Sequence, residues 1–153
     1  MPDCKGEAAG AILKEAGLRR TPGRMAVVNA LLEACRPLTR EEISSSLPAQ
    51  GPHMASVYRC LKALWEAGVV HQVDTEGRAR QFAMSGRGQE ELHPHFICRR
   101  CGRAQCLEDV SLPPIPAPGR GYLVERKEVY LKGLCPDCSR QIWRRQSRDR
   151  SGW

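Results

Sequence analysis

Two Cys-x-x-Cys pairs, Cys98/Cys101 and Cys135/Cys138, constrain this chain more than any other feature. Two residues between cysteines let both thiolates of a tight turn reach one tetrahedral metal ion, and two such pairs complete a four-thiolate zinc site. The gap from Cys101 to Cys135 is longer than in a compact zinc ribbon, so strands or a helix must lie between the knuckles. A dithiol redox centre is the competing reading of either pair alone. Four thiolates around a dication leave net negative charge, which Arg99, Arg100, Arg103 and Arg140 are close enough in sequence to offset.

A chain of 153 residues holds one ordinary domain or two small ones, and neither half has the apolar residues for a large core. A metal staple therefore makes physical sense. No apolar run approaches a membrane span, so no membrane partner is expected. The expected location is the reducing cytoplasm, where eight cysteines point to metal ligands more than to disulfides. The formal net charge of +7 favours a polyanionic partner. Part of that surplus lies in a basic tail, residues 143–153, where Arg144, Arg145, Arg148 and Arg150 face only Asp149, and a disordered charge run is expected there. No nucleophile–base–acid set appears, so neither a hydrolase nor a small organic substrate is expected.

The first half reads as helices followed by a hairpin. Ala8 to Ala16 looks helical and stops at Gly17, while Thr21-Pro22 supplies an N-cap and a first-turn proline for a second helix. There Val27, Val28, Leu31 and Leu32 recur at helical spacing and should face a core. Thr39-Arg40-Glu41-Glu42 is a capping box for a third helix that ends by Leu47-Pro48. In a fourth helix, about Met54 to Ala67, Val57, Cys60, Leu61, Leu64 and Trp65 fall on one side and Ala55, Tyr58, Arg59, Lys62 and Glu66 on the other. The second face suits a helix entering a major groove, although an ordinary solvated face gives the same periodicity. Val69 to Val73 and Ala79 to Phe82 are short strand candidates around Asp74-Thr75-Glu76-Gly77. This order is that of a winged helix-turn-helix.

The chain resembles the ferric uptake regulator family of metal-responsive repressors over nearly its whole length. The resemblance is carried by Gly17 to Arg24, Ser56-Val57-Tyr58-Arg59-Cys60-Leu61, Glu66 to Val70, His93-Pro94-His95-Phe96-Ile97-Cys98-Arg99-Arg100-Cys101-Gly102 and Gly133-Leu134-Cys135-Pro136-Asp137-Cys138. It implies a homodimer on double-stranded operator DNA, with an α/β dimerisation domain after the wing. It also implies that the recognition helix meets DNA through Ala55, Ser56, Tyr58 and Arg59, and that Arg19 takes the position of the family's basic minor-groove contact.

The family also carries a regulatory metal site distinct from the four cysteines. Candidate ligands here are His71, His93, His95, Cys106 and Glu108. Taken singly, His71 could be a solvated strand residue, the paired histidines ordinary linker residues, and Cys106 a buried free thiol. His93 and His95 are two apart, so an extended backbone points both the same way, and Cys106 and Glu108 share that relation. By resemblance, His71 matches a ligand of zinc-sensing members, Cys106 a ligating carboxylate of zinc and peroxide sensors, and His93 and His95 the paired histidines of iron and peroxide sensors. The chain departs from the iron-site pattern at Pro37, Ala83 and Lys127, and Ser111 to Gly119 is shorter than the helix usual there. Three imidazoles and a thiolate favour zinc over ferrous or manganous ions. The resemblance is greatest to the zinc uptake regulator branch, with structural zinc on the four cysteines and regulatory zinc on His71, His93, His95 and Cys106, Glu108 being a possible substitute.

The expected architecture is α+β. A winged helix-turn-helix over residues 1–84 is followed by a hinge at 85–92, a small zinc-bound α/β dimerisation domain at 93–142, and the basic tail. Rival functions are an iron- or peroxide-responsive repressor of the same family, a thiol redox enzyme, and a structural zinc-ribbon adaptor.

Overall fold

The structure, a computed structural model, describes residues 4–75, 77–85, 93–107, 109–116, 118–124 and 127–149. The chain divides into two compact units, Met1–Glu91 and Leu92–Trp153. The expected hinge at 85–92 lies, apart from Ser85, outside the described residues.

The first unit carries helices α1 (Cys4–Glu15), α2 (Pro22–Ala34), α3 (Arg40–Ser46) and α4 (Met54–Glu66), with strands β1 (Leu38–Thr39), β2 (Val70–Val73) and β3 (Gln81–Met84). α1 begins four residues earlier than the apolar pattern indicates and closes through Gly17 at φ 69°. Glycine reaches that left-handed conformation without a Cβ clash, letting the Leu18 N–H turn back to the Leu13 carbonyl at 2.8 Å. Thr21 caps α2 by accepting from the Arg24 N–H. Thr39 and Glu42 form the full reciprocal capping box of α3.

These caps fix where the helices start, and their apolar stripes fix what they bury. Leu13, Val27, Val28, Leu31, Ile43, Val57, Leu61 and Leu64 close one core with Val70 and Phe82 of the sheet. Leu32 and Cys60 pack against its edge. Trp65 does not join them: it is 44% exposed, a correction to its placing on the inner face.

The sheet has the order β1-β3-β2, all antiparallel. β2 and β3 form the expected hairpin, with β3 displaced two residues from Ala79–Phe82, and Thr75 Oγ1 donates to the Ala79 carbonyl across its turn. β1 has no periodic signal in the sequence, because two residues cannot show a period. Leu38 lies opposite Phe82, tying the segment before α3 to the wing.

The second unit is a three-stranded sheet of order β5-β4-β6 with a final helix: β4 (His95–Cys98), β5 (Ala104–Cys106), β6 (Tyr130–Gly133) and α5 (Pro136–Asp149). β5 is antiparallel to β4, and β6 runs parallel to it. The described residues of 111–119 form neither helix nor strand, consistent with their prolines, which lack the donor both ladders need. The tail is a correction: instead of a disordered charge run, residues as far as Asp149 continue α5, which starts with proline at its first position.

Candidate metal centres and nucleic-acid face

The parallel register of β4 and β6 assembles the four-cysteine cluster. Cys98 ends β4 opposite Gly133, and two residues later the chain reaches Cys135. The Arg99 N–H donates to the Gly133 carbonyl at 2.9 Å, locking the two knuckles together. A Cβ at Gly133 would sit 3.3 Å from Phe96 Cε2, so the Phe96 ring packs closely over this backbone. The first knuckle turns through Gly102 at φ 73°, with the Gly102 N–H donating to the Cys98 carbonyl and the Cys98 N–H to the Arg103 carbonyl. Cys138 lies in the first turn of α5.

The four sulfurs of Cys98, Cys101, Cys135 and Cys138 lie within 4.8 Å of one another, with Cys101 and Cys135 3.8 Å apart. Cys101 is exposed and the other three are buried. Burial pushes the Cys98 thiol up, but the N–H groups of Cys101, Cys135 and Arg100 outweigh it and bring the group down to about 6. Burial and the sulfurs of Cys135, Cys98 and Cys101 push Cys138 up to about 12. Four cysteine sulfurs gathered to within 4.8 Å form a donor set that fits a thiophilic dication. The arginines divide differently from the sequence expectation. Arg103 and Arg140 both pair with Asp137, and Arg100 reaches the Cys138 carbonyl. Asp137, which the sequence did not single out, thus holds two cations beside the thiolates.

A second donor group lies on the same sheet. His95 and Cys106 are directly opposed across the β4–β5 pair, and His93 joins them with its ring 4.9 Å from that of His95. One donor atom from each of the three lies within 4.8 Å of the others. His95 is buried, and the Tyr130 ring from β6 stands 5.9 Å from it, a neighbour with no signal in the linear sequence. Glu108 lies outside the described residues. In the first unit, His71 is half-buried on β2 and directly opposite Ala83 on β3.

The candidate nucleic-acid face belongs to α4. Val57, Leu61 and Leu64 hold the helix to the core, which turns Ala55, Tyr58, Arg59 and Lys62 outward. Ser56 is half-buried and accepts from Arg59 Nη2 at 3.3 Å, orienting that guanidinium. Lys62 pairs with Glu66. Arg19 is exposed in the α1–α2 turn, where Arg24 Nη1 donates to its carbonyl at 3.1 Å and fixes the backbone that carries it.

The sequence model described as the Ferric uptake regulator family matches residues 15–117. The chain is 31% identical over 134 residues to Ferric uptake regulation protein 2 of Mycolicibacterium fortuitum, covering 84% of this chain and 90% of that one. It is 28% identical over 134 residues to the Peroxide operon regulator of Bacillus subtilis, with the same coverage. A solved zinc uptake regulator complexed with zinc and DNA superposes with a TM-score of 0.62 at 20% identity, covering 90% of this chain and 95% of that chain, a likeness of fold.

Proposed function

The chain belongs to the Ferric uptake regulator family, and from that premise we propose that it is a zinc-responsive repressor, acting as a homodimer on the operators of metal uptake genes. Members of this family are DNA-binding, metal-responsive transcription regulators and not enzymes, and the chain is a regulator of that kind. Its winged helix-turn-helix and separate α+β second unit are the family's fold. Among the described residues no helix is long and apolar enough to cross a membrane. The proposed location is the cytoplasm.

The observation that carries the zinc reading is the donor set His93, His95 and Cys106. Two imidazoles and a thiolate suit tetrahedral zinc, whereas ferrous and manganous sites favour carboxylates and higher coordination. His71 is proposed as the fourth ligand. Its cross-strand partner is Ala83, so the acidic ligand that iron-sensing relatives place after Phe82 is replaced by a methyl group beside it. Cys98, Cys101, Cys135 and Cys138 would hold a separate structural zinc. Bound zinc would supply a link between His71 of the winged helix and the three ligands of the second unit. Ligands drawn from both units favour one arrangement of two recognition helices, so metal and operator raise each other's affinity.

The alternative within the family is an iron- or peroxide-responsive repressor, which the relatives in Mycolicibacterium and Bacillus support by name. Operator binding measured across buffered free zinc, iron and manganese, with metal analysis of the purified protein, separates the two. Two zinc ions per chain and a gain in affinity at the lowest free concentration for zinc are expected. An equal or greater response to iron or manganese overturns the zinc assignment.

A further inference from the structure

We propose that Arg40 is a further DNA-contacting residue, a phosphate clamp held against the ring of Tyr58. The inference rests on reading α4 as the recognition helix, but Arg40 lies outside that helix. It opens α3, and its guanidinium carbon lies 5.7 Å from the centroid of the Tyr58 ring. That distance is within the range of a cation–π contact. The contact is a surface one: Tyr58 is 52% exposed and the Arg40 side chain 46%.

A cation–π contact draws on the charge of a guanidinium and leaves its N–H donors to other partners. The planar fork of those donors matches the oxygens of a phosphate, which a lysine meets only as a point charge. Two acidic side chains stand near enough in the chain to compete. Glu41 Oε1 is 4.0 Å from Arg40 Nη2 with both side chains about half exposed, a pair of little energy in water. Glu42 is engaged elsewhere, accepting from Arg36 at 2.9 Å and from the Thr39 N–H at 2.8 Å. The result is a cation oriented by Tyr58 on the same surface as Arg59, which Ser56 orients. Both guanidiniums are pre-placed by residues of α4, Arg40 by Tyr58 and Arg59 by Ser56. The ligand class for Arg40 is the sugar-phosphate backbone, because a residue at the start of α3 approaches from beside the recognition helix and not along the base edges.

The test uses the full-length, zinc-loaded protein on an operator duplex and on an unrelated duplex at several salt concentrations, comparing Arg40→Ala, Arg40→Lys and Arg59→Ala with the parent. Arg40→Ala is expected to weaken binding of the homodimer to both duplexes by about tenfold for each of its two protomers and to make the log–log salt slope shallower by about 1.8, about 0.9 for each of the two lost phosphates. Arg40→Lys should restore the slope but only part of the affinity. A parental salt slope in Arg40→Ala, whatever its affinity, overturns the phosphate contact. Arg40→Lys binding as tightly as the parent overturns the role of the ring-held fork. Failure of the underlying reading looks different: Arg59→Ala would then bind operator and unrelated duplex in the parental ratio.

Discussion

Cys106 stands directly opposite His95 across the antiparallel β4–β5 pair, so the two side chains leave the same face of the sheet. His93 joins them from just before Pro94, whose carbonyl accepts from the Leu107 N–H at 2.9 Å and so ties the segment before β4 to the end of β5. The donor group is therefore set by strand register, and sliding β5 by one residue would turn Cys106 to the opposite face.

Cys106→Ser tests the regulatory reading most sharply, because it removes the ligand that favours zinc over iron. The variant should stay folded and dimeric, retain the four-cysteine metal, and lose the second metal per chain along with the zinc-dependent gain in operator affinity. His71→Ala should behave alike. Metal analysis and operator titration check both, and a parental zinc response in both variants would place the sensor elsewhere. A parental response in Cys106→Ser with loss in Glu108→Ala would reassign the ligand.

Removing the structural site should have a different result. Zinc held by four thiolates contributes on the order of 10 kcal/mol of folding free energy. Cys98→Ser or Cys138→Ser should unfold the second unit and abolish dimerisation, while the first unit, with its own apolar core, persists. Sedimentation and the unfolding profile give the readout. A folded dimer lacking that metal would sink the assignment.

On the DNA face, Tyr58→Ala and Arg59→Ala should each weaken specific binding by about 1–3 kcal/mol with no change in zinc content. Arg19→Ala should weaken binding with less dependence on base sequence if it reads groove shape or phosphate. Operator affinity unchanged in the Tyr58/Arg59 double variant would remove α4 as the recognition helix.

The capping box of α3 gives a stability prediction independent of metal and DNA. Thr39→Ala removes the acceptor for the Glu42 N–H and should cost about 1 kcal/mol in thermal or chemical unfolding of the first unit. Burial alone would raise the Glu42 carboxyl, but hydrogen bonds from Arg36 and Thr39 and the charge of Arg36 hold it below its usual 4.5. A depressed folded value stabilises above the unfolded carboxylate range, and that stabilisation is lost as pH falls through the folded value. The stability gap between the parent and Glu42→Gln should accordingly be widest near neutrality and narrow on acidification. A gap that stays constant would show that the carboxylate charge plays no part.

What the sequence determined by itself is what nearest neighbours encode. Thr21-Pro22, Gly17 and the Thr39/Glu42 box mark helix ends because their partners lie within a few residues, and Val57, Leu61 and Leu64 mark the buried side of α4 because a 3.6-residue period is visible in any window. The two Cys-x-x-Cys spacings mark the two knuckles of the cysteine cluster for the same local reason. Only the tertiary structure decided the contacts that depend on register or on the packing of one helix against another. The parallel pairing of Cys98 with Gly133 brings Cys135 to Cys101 across 34 residues. The β4–β5 register puts Cys106 opposite His95, and the packing of α3 on α4 lays Arg40 over Tyr58. The Asp137–Arg140 pair and the run of α5 to Asp149 are local, whereas the pairing of Asp137 with Arg103 and the two-residue β1 belong with these. None of them has a sequence period, because each is fixed by groups that become neighbours only after the backbone has closed its long-range hydrogen bonds.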